Sequence, residues 1–181
     1  KNLDAFLSLR LPGSKVVVGA GPARADLQRA YPDAVFLGTR EGEELAAIYA
    51  SSDVFVFPSL TDTFGIVLLE AAASGLPVAA YPVQGPSDVF AGSGAAVLSE
   101  DLRAAALAAL RVPRETCLEL AAAHSWRRSA EQFYGHIARV AREAGAVPRG
   151  EIKAVGTASS GLRAFANAHR VEGPAPERLR A

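Results

Sequence analysis

The sequence predicts an α/β protein with a Rossmann-like open parallel sheet and helices on both faces. Short β-branched and aromatic segments alternate along the chain with segments of helical pattern. The strand-like segments are apolar throughout, without alternation, as expected for strands that are covered on both faces. Successive strands start about 17–24 residues apart, a spacing that suits right-handed β-α-β units.

Taken in order, the elements follow from these patterns. Five strands are predicted at 15–19, 34–37, 54–57, 78–81 and 95–98. Helices are predicted at 2–10, 22–30, 42–51, 65–74, 101–110 and 113–124, followed by a long amphipathic helix that starts after Ser125. Pro22 suits a first helical turn, Gly75 followed by Pro77 suits a helix end, and Ser125 suits an N-cap.

Length and composition predict one folded domain. The 181 residues are enough for one α/β core, which we assign to residues 1–146. Residues 147–181 are rich in Gly, Ala, Ser and Pro, which predicts a low-complexity, disordered tail with at most a short helix at 160–169. The chain starts at Lys1 and contains no methionine, so we expect it to be a piece of a longer protein.

Charge, cysteine content and hydropathy narrow the function classes. Lys+Arg and Asp+Glu both number 19, so no overall field favours nucleic acid. The single cysteine, Cys117, excludes an internal disulfide and fits a reducing compartment. No apolar run reaches the roughly 18–20 residues of a membrane span. We therefore expect a cytoplasmic location and no nucleic-acid partner.

Ligands of open parallel sheets bind at the carboxyl ends of the strands, where three loops are of interest. In "GAGP" (19–22) no third glycine follows, so a tight turn explains it at least as well as phosphate contact. The loop "LGTREGEE" (37–44) has free backbone groups that could read the edge of a base. The third loop, in "SLTDTFGIVLLEAAASG" (59–75), leads into a helix whose N-terminal N–H groups favour phosphate.

Two carboxylates belong to this third segment. Asp62 lies in the loop and Glu70 lies nearly two turns along the helix, so they would stand roughly 10 Å apart. A retaining hydrolase needs its pair about 5 Å apart, so this spacing suits two anchors on one elongated ligand instead. Gly65 would leave room for a phosphate beside the helix. Spacing alone equally allows Asp62 to cap the helix and Glu70 to face solvent.

A longer pattern resembles a known family. The segment "DVFVFPSLTDTFGIVLLEAAASGLPVAAYPVQGPSDV" is similar to the core of retaining, nucleotide-sugar-dependent glycosyltransferases of family 4, which carry an acid, seven residues and a glutamate. The likeness extends to "KNLDAFLSL", "VVVGAGPARADLQRAYPDAVFLG", "ELAAIYASSDVFV" and "HSWRRSAEQF", so it covers about residues 1–140. It implies the GT-B fold, in which the C-terminal of two Rossmann-like domains binds the sugar nucleotide.

The resemblance also implies roles for individual residues. Glu70 would hold the ribose hydroxyls, Asp62 the hydroxyls of the donor sugar, and Lys1 the diphosphate as it leaves. The other positions that match the donor site are the loop whose backbone faces the sugar and diphosphate, Thr63, Phe64, Gly65 and Ile66, and the loop beside the nucleobase, Leu37 and Gly38.

The implied reaction moves a hexosyl group, with retention, from GDP-mannose or a UDP-sugar to a lipid or glycan acceptor. A lipid acceptor would also imply peripheral contact with the inner membrane face. The resemblance implies no metal or other cofactor. No cluster of His, Cys, Asp or Glu argues for a metal site, and the histidines His124, His136 and His169 are scattered. A mannosyltransferase is suggested by the form of "TDTFG".

Departures from the family pattern leave alternatives. Asp62 replaces the usual glutamate, and the acceptor domain, the first strand of the donor domain and an arginine expected before Lys1 lie outside this chain. The chain could therefore be a catalytically incomplete nucleotide-binding module. A generic dehydrogenase-like or flavodoxin-like domain is a weaker alternative, because "GAGP" lacks the dinucleotide pattern.

Overall fold

The computed structural model describes residues 1–144. They form five strands: β1 (Val16–Val18), β2 (Val35–Gly38), β3 (Phe55–Phe57), β4 (Val78–Ala80) and β5 (Ala96–Leu98). The helices are α1 (Leu3–Leu7), α2 (Arg24–Ala30), α3 (Gly42–Ser51), α4 (Ile66–Ala73), α5 (Gln84–Phe90), α6 (Leu102–Ala109), α7 (Arg114–Ala123) and α8 (Trp126–Glu143).

The chain divides into a first compact unit, Lys1–Ala130, and a second that begins at Glu131. The predicted domain boundary at 146, the tail at 147–181 and the short helix at 160–169 lie outside the described residues and stay predictions.

All strand pairs are parallel, which confirms the predicted α/β class. β1 pairs with β2, and β4 pairs with both β3 and β5. Within residues 1–144, β1 has no second neighbour and neither has β3, so the strands form a two-stranded and a three-stranded sheet instead of one continuous sheet. Every residue of β4 is buried, and its apolar pattern without alternation follows from this central position.

Helices cover both faces of the β3–β5 sheet, as predicted. On one face Val78 and Ala80 pack in a cluster with α4 and α7, and on the other Ala79 packs against α6. Many positions at these contacts are alanine, which lets the helices approach the strands closely. The cluster under α4 also holds Leu68 and Cys117, both fully buried. Burial of such side chains stabilises the fold by about 1.5–3 kcal/mol each.

Local signals in the sequence were mostly confirmed. The side chain of Ser125 accepts a hydrogen bond from the N–H of Arg128 at 3.3 Å, so it caps α8 as predicted. Gly75 follows α4 with φ of 69°, a left-handed conformation that ends the helix. Pro22 lies in a turn before α2, which begins at Arg24, so its placement in the first helical turn was wrong.

The helix α5 was not predicted. The second and third residues of its sequence, QGPSDVF, are Gly85 and Pro86, which predict a loop because both disfavour a helix interior. Pro86 is the third residue of the helix, where a backbone N–H has no acceptor inside the helix, so the missing donor costs nothing. The terminal position of the proline therefore allows the helix.

The amphipathic helix α8 forms as predicted, and its apolar stripe is exposed. The accessible fraction is 85% for Trp126, 62% for Phe133 and 58% for Val140. Phe133 and Tyr134 make an edge contact with ring centroids 5.8 Å apart. Within residues 1–144, no helix combines the length and the apolar character needed to cross a bilayer.

Candidate functional site

A cavity of about 710 Å³ lies among β1, β3, α3 and α4, and its volume is within the range of small-molecule sites. Its wall includes Gly19 after β1, Leu37 in β2, Arg40 after β2, Tyr49 in α3 and Glu70 in α4. The structure thus brings together Leu37 and Glu70, which the sequence placed in one binding site although 33 positions separate them (70 − 37).

Glu70 is exposed at this cavity, and its carboxylate accepts one hydrogen bond from within residues 1–144. The hydroxyl of Tyr49 donates a hydrogen bond to Glu70 Oε2 at 3.3 Å. Burial, followed by the charge of Glu70 and this hydrogen bond, raises the pKa of Tyr49 to about 12. Tyr49 is therefore a neutral donor at physiological pH, and the Glu70 carboxylate faces a ligand-sized space with one oxygen held. Sequence reasoning did not select Tyr49.

Lys1 and Asp62, the two predicted catalytic residues, form an ion pair. The Lys1 ammonium also lies 5.7 Å from the centre of the Phe57 ring. The adjacent Asn2 donates from its side chain to Pro58 O at 3.2 Å, which ties the start of the chain to the end of β3. The hydrogen bond from Lys1 is the main cause of the lowered pKa of Asp62. Asp62 does not cap α4, because the N-cap position is Gly65, which has no side chain to accept a bond.

The start of α4 has an anion-binding geometry. Leu68 N–H bonds to Gly65 O at 2.9 Å, while the N–H groups of Ile66 and Val67 fall in the first turn, where no intrahelical acceptor is available. These free donors and the helix dipole favour a negative group at this end. The side chains of Thr63, Phe64 and Ile66 are exposed around it.

The reason for glycine at position 65 differs from the expected one. Gly65 has φ of 72°, and a Cβ there would lie 2.9 Å from Leu68 Cδ1 and 3.6 Å from Phe57 Cζ. Backbone conformation and packing against the core therefore already require glycine. Room for a phosphate was a plausible use of this residue, but the structure explains it without a ligand.

Gly85, at the start of α5, supports the loop that carries Asp62. Its N–H donates to Asp62 O at 3.2 Å. A Cβ at this position would lie 2.7 Å from Asp62 O and 3.2 Å from Phe64 N, both of them backbone atoms. The sequence did not mark Gly85 as a site residue, and the only signal was a glycine beside a proline soon after a buried strand.

A hydrogen bond joins the turn after β1 to the last residue of β2. Gly19 N–H donates to Gly38 O at 2.8 Å, and Gly38 has φ of 73°. A Cβ on Gly38 would lie 3.1 Å from Nη1 of Arg24, and Nη2 of the same guanidinium donates to Phe36 O at 3.3 Å. "GAGP" therefore serves as a braced turn next to Leu37, and Gly38 is set beside the cavity by these contacts.

Over residues 1–144, no group of three or more His, Cys, Asp and Glu side chains is arranged to hold a metal ion. The predicted absence of a cofactor stays a prediction.

Parallel strands, a cavity with a carboxylate in its wall and a helix N-terminus of anion-binding geometry are together typical of a Rossmann-like ligand-binding domain. Residues 3–113 match the family model of the glycosyl transferases group 1, and the chain belongs to this family. The recognition made from the sequence motif is thereby confirmed.

Similar proteins include several transferases. The chain is 50% identical over 92 residues to a GDP-mannose-dependent alpha-mannosyltransferase of Mycobacterium tuberculosis, covering 50% of this chain and 24% of that protein. It is 44% identical over 95 residues to the sulfoquinovosyl transferase SQD2 of Arabidopsis thaliana, covering 50% and 19%. The match to a 2-deoxystreptamine glucosyltransferase of Streptomyces kanamyceticus is 34% identical over 132 residues, covering 67% and 34%.

The chain spans about a fifth to a quarter of the length of the first two relatives.

Among solved structures, it resembles a pneumococcal O-GlcNAc transferase in complex with UDP and GlcNAc, with a TM-score of 0.55 and 22% identity over 70% of this chain and 29% of that chain. This likeness supports the fold.

Proposed function

We propose that the chain is the donor-binding domain of a retaining hexosyltransferase that uses a nucleoside-diphosphate sugar. The observation that carries the proposal is the position of Glu70, whose carboxylate stands in the cavity wall together with Leu37. A carboxylate accepts hydrogen bonds from vicinal hydroxyls, which is how acidic residues hold a ribose in Rossmann-like domains. Leu37 would then lie along the nucleobase.

The remaining predicted residues supply the charge chemistry. The diphosphate would meet the free N–H groups at the start of α4 and the ammonium of Lys1, which together would stabilise the charge that grows as the sugar leaves. Asp62 would orient the sugar hydroxyls, so that binding energy places the anomeric carbon for attack by an alcohol. Lys1 would exchange its bond to Asp62 for one to the diphosphate when the donor binds.

The donor and acceptor are inferred from the similar proteins. A GDP-mannose-dependent relative is 50% identical, which favours GDP-mannose, while the sulfoquinovosyl and glucosyl transferases keep other nucleotide sugars in contention. A lipid or glycan alcohol is the proposed acceptor, to be bound by a partner domain before Lys1. We place the protein in the cytoplasm, at the inner membrane face if the acceptor is a lipid.

A nucleotide-binding module without activity is the second candidate. It is favoured by the share of the relatives that this chain covers, 24% for the mannosyltransferase, because an acceptor site would have to come from further chain. Both candidates require nucleotide binding, and only the first requires sugar transfer by the longer protein.

Calorimetric titration of the chain with GDP, UDP and ADP tests the proposal. We expect binding of at least one diphosphate, and binding weakened by Glu70→Gln because a neutral amide is a poorer acceptor for ribose hydroxyls. Glu119→Gln, which changes an exposed glutamate of α7, is the matched control and should bind like the wild type. In the longer protein, Glu70→Gln should raise the donor KM. A folded chain that binds none of the three nucleotides would contradict the proposal.

A further inference from the structure

We propose that Tyr49 is a positioning residue, which holds the carboxylate of Glu70 in the orientation that a ribose diol requires. The inference rests on the proposed function and adds a residue that acts through Glu70. It starts from the single hydrogen bond, 3.3 Å long, that joins the hydroxyl of Tyr49 to Glu70 Oε2.

Tyr49 is fixed by the packing of its ring. It lies in the last turns of α3, half-buried against the main core cluster. Its ring meets that of Phe55, in β3, edge to face, with centroids 5.7 Å apart and planes at 75°. Because the ring is held by a strand of the sheet, the hydroxyl at its tip is placed by the fold and does not depend on Glu70 for its position.

Glu70, in contrast, has little to hold it. Its side chain is exposed and long, so fixing it in one rotamer costs conformational entropy. Within residues 1–144, no other hydrogen bond to the carboxylate of Glu70 is found besides the one from Tyr49. The bond to Tyr49 therefore restricts the Glu70 side chain already in the free protein, so that less conformational entropy is lost when a ligand binds.

The arrangement leaves acceptor capacity for a diol. An ionised carboxylate offers about four lone-pair sites on two oxygens, and Tyr49 uses one of them. Within residues 1–144 no group bonds to Oε1 or to the second site on Oε2, and both Tyr49 and Glu70 line the cavity. A pair of vicinal hydroxyls can then bind one to each oxygen. The phenol remains a donor at neutral pH, so this orientation does not change over the physiological range.

Tyr49→Phe tests the inference because it keeps the ring and removes only the hydroxyl. The chain is titrated calorimetrically with whichever of GDP, UDP and ADP it binds best, and with the 2′,3′-dideoxy form of that nucleotide. We expect Tyr49→Phe to weaken binding of the ribonucleotide about two- to tenfold, the worth of one hydrogen bond. Binding of the dideoxy form, which has no hydroxyls for Glu70 to hold, should not change.

The control is Tyr31→Phe, which removes a similar 3.3 Å hydrogen bond, from Tyr31 to Asp4, and lies away from Glu70. It should change neither affinity. In addition, Tyr49→Phe should have no further effect on ribonucleotide binding in a Glu70→Ala background, where there is no carboxylate to position.

The outcomes separate this inference from the proposed function. If the wild type binds a nucleotide and Tyr49→Phe binds it with the same affinity, the role of Tyr49 is overturned and the proposed function is not. Equal weakening for the ribose and dideoxy forms would show that Tyr49 acts on the fold of the site, which also overturns it. A wild-type chain that binds none of the three diphosphates would overturn the proposed function and this inference together.

Discussion

Gly85→Ala should disturb the loop that carries Asp62, because the added Cβ would clash with backbone atoms of that loop. A Cβ at position 85 would stand 2.7 Å from Asp62 O and 3.2 Å from Phe64 N. Ordinary contacts of a Cβ begin near 3.4 Å, so one side must move by about 0.7 Å. The move would also stretch the 3.2 Å hydrogen bond from Gly85 N–H to Asp62 O. Overpacking of this kind costs about 1–3 kcal/mol.

The expected result has two parts. The midpoint of thermal unfolding, followed by circular dichroism, should fall by on the order of 5 °C, given about 2–8 °C for each kcal/mol in a domain of this size. Nucleotide affinity should fall by about fivefold, roughly the worth of one hydrogen bond, because the displaced loop leads into the start of α4.

A matched control is Gly135→Ala in α8, where a Cβ meets nothing within 4 Å. It should leave affinity unchanged and stabilise the helix slightly, since alanine favours a helix more than glycine does. If Gly85→Ala kept both the unfolding midpoint and the affinity of the wild type, the support of the loop by α5 would be refuted.

Three further predictions concern charge, helix ends and the cysteine. The lowered pKa of Asp62 means that its pairing with Lys1 stabilises the fold, by at most about 1 kcal/mol, above the ordinary value of 3.8 and is lost as the pH falls further. The difference in unfolding midpoint between wild type and Asp62→Asn should therefore shrink as the pH falls below 3.8, and a difference that stays constant below that pH would disprove the pairing. Arg114→Ala should cost about 0.3–1 kcal/mol in urea unfolding, because Arg114 donates to two carbonyls at the end of α3 at 2.6 and 3.4 Å, whereas Arg111→Ala should be neutral. Cys117 is fully buried, and burial raises its pKa, so a thiol reagent should label it only after denaturant is added, and rapid labelling of the native chain would argue against this core.

The order of elements was predictable because it depends on local patterns. Each of the five predicted strands lies within one residue of the observed one at both ends, since unbroken β-branched and aromatic runs mark buried parallel strands. The helix α3 was predicted with the observed bounds, Gly42–Ser51. The exception was α5, where Gly85 and Pro86 obscured a helix that their position at its start permits.

The site was predictable as a set of residues and not as a set of contacts. Resemblance selected Lys1 and Asp62 separately, but only the fold pairs two residues that are 61 positions apart. Tyr49 and Gly85 escaped notice because their roles come from tertiary contacts with Glu70 and with the backbone at Asp62. The roles assigned to the predicted site residues stay predictions until a ligand is bound.

A crystal structure of the chain with the nucleoside diphosphate that it binds best is the most direct test of the central claim. We predict a ribose hydroxyl about 2.5–3.0 Å from the carboxylate of Glu70 and the diphosphate at the N–H groups of the first turn of α4. The ammonium of Lys1 should then contact the phosphate in place of Asp62. A nucleotide bound with its ribose away from Glu70, or away from the start of α4, would contradict the account.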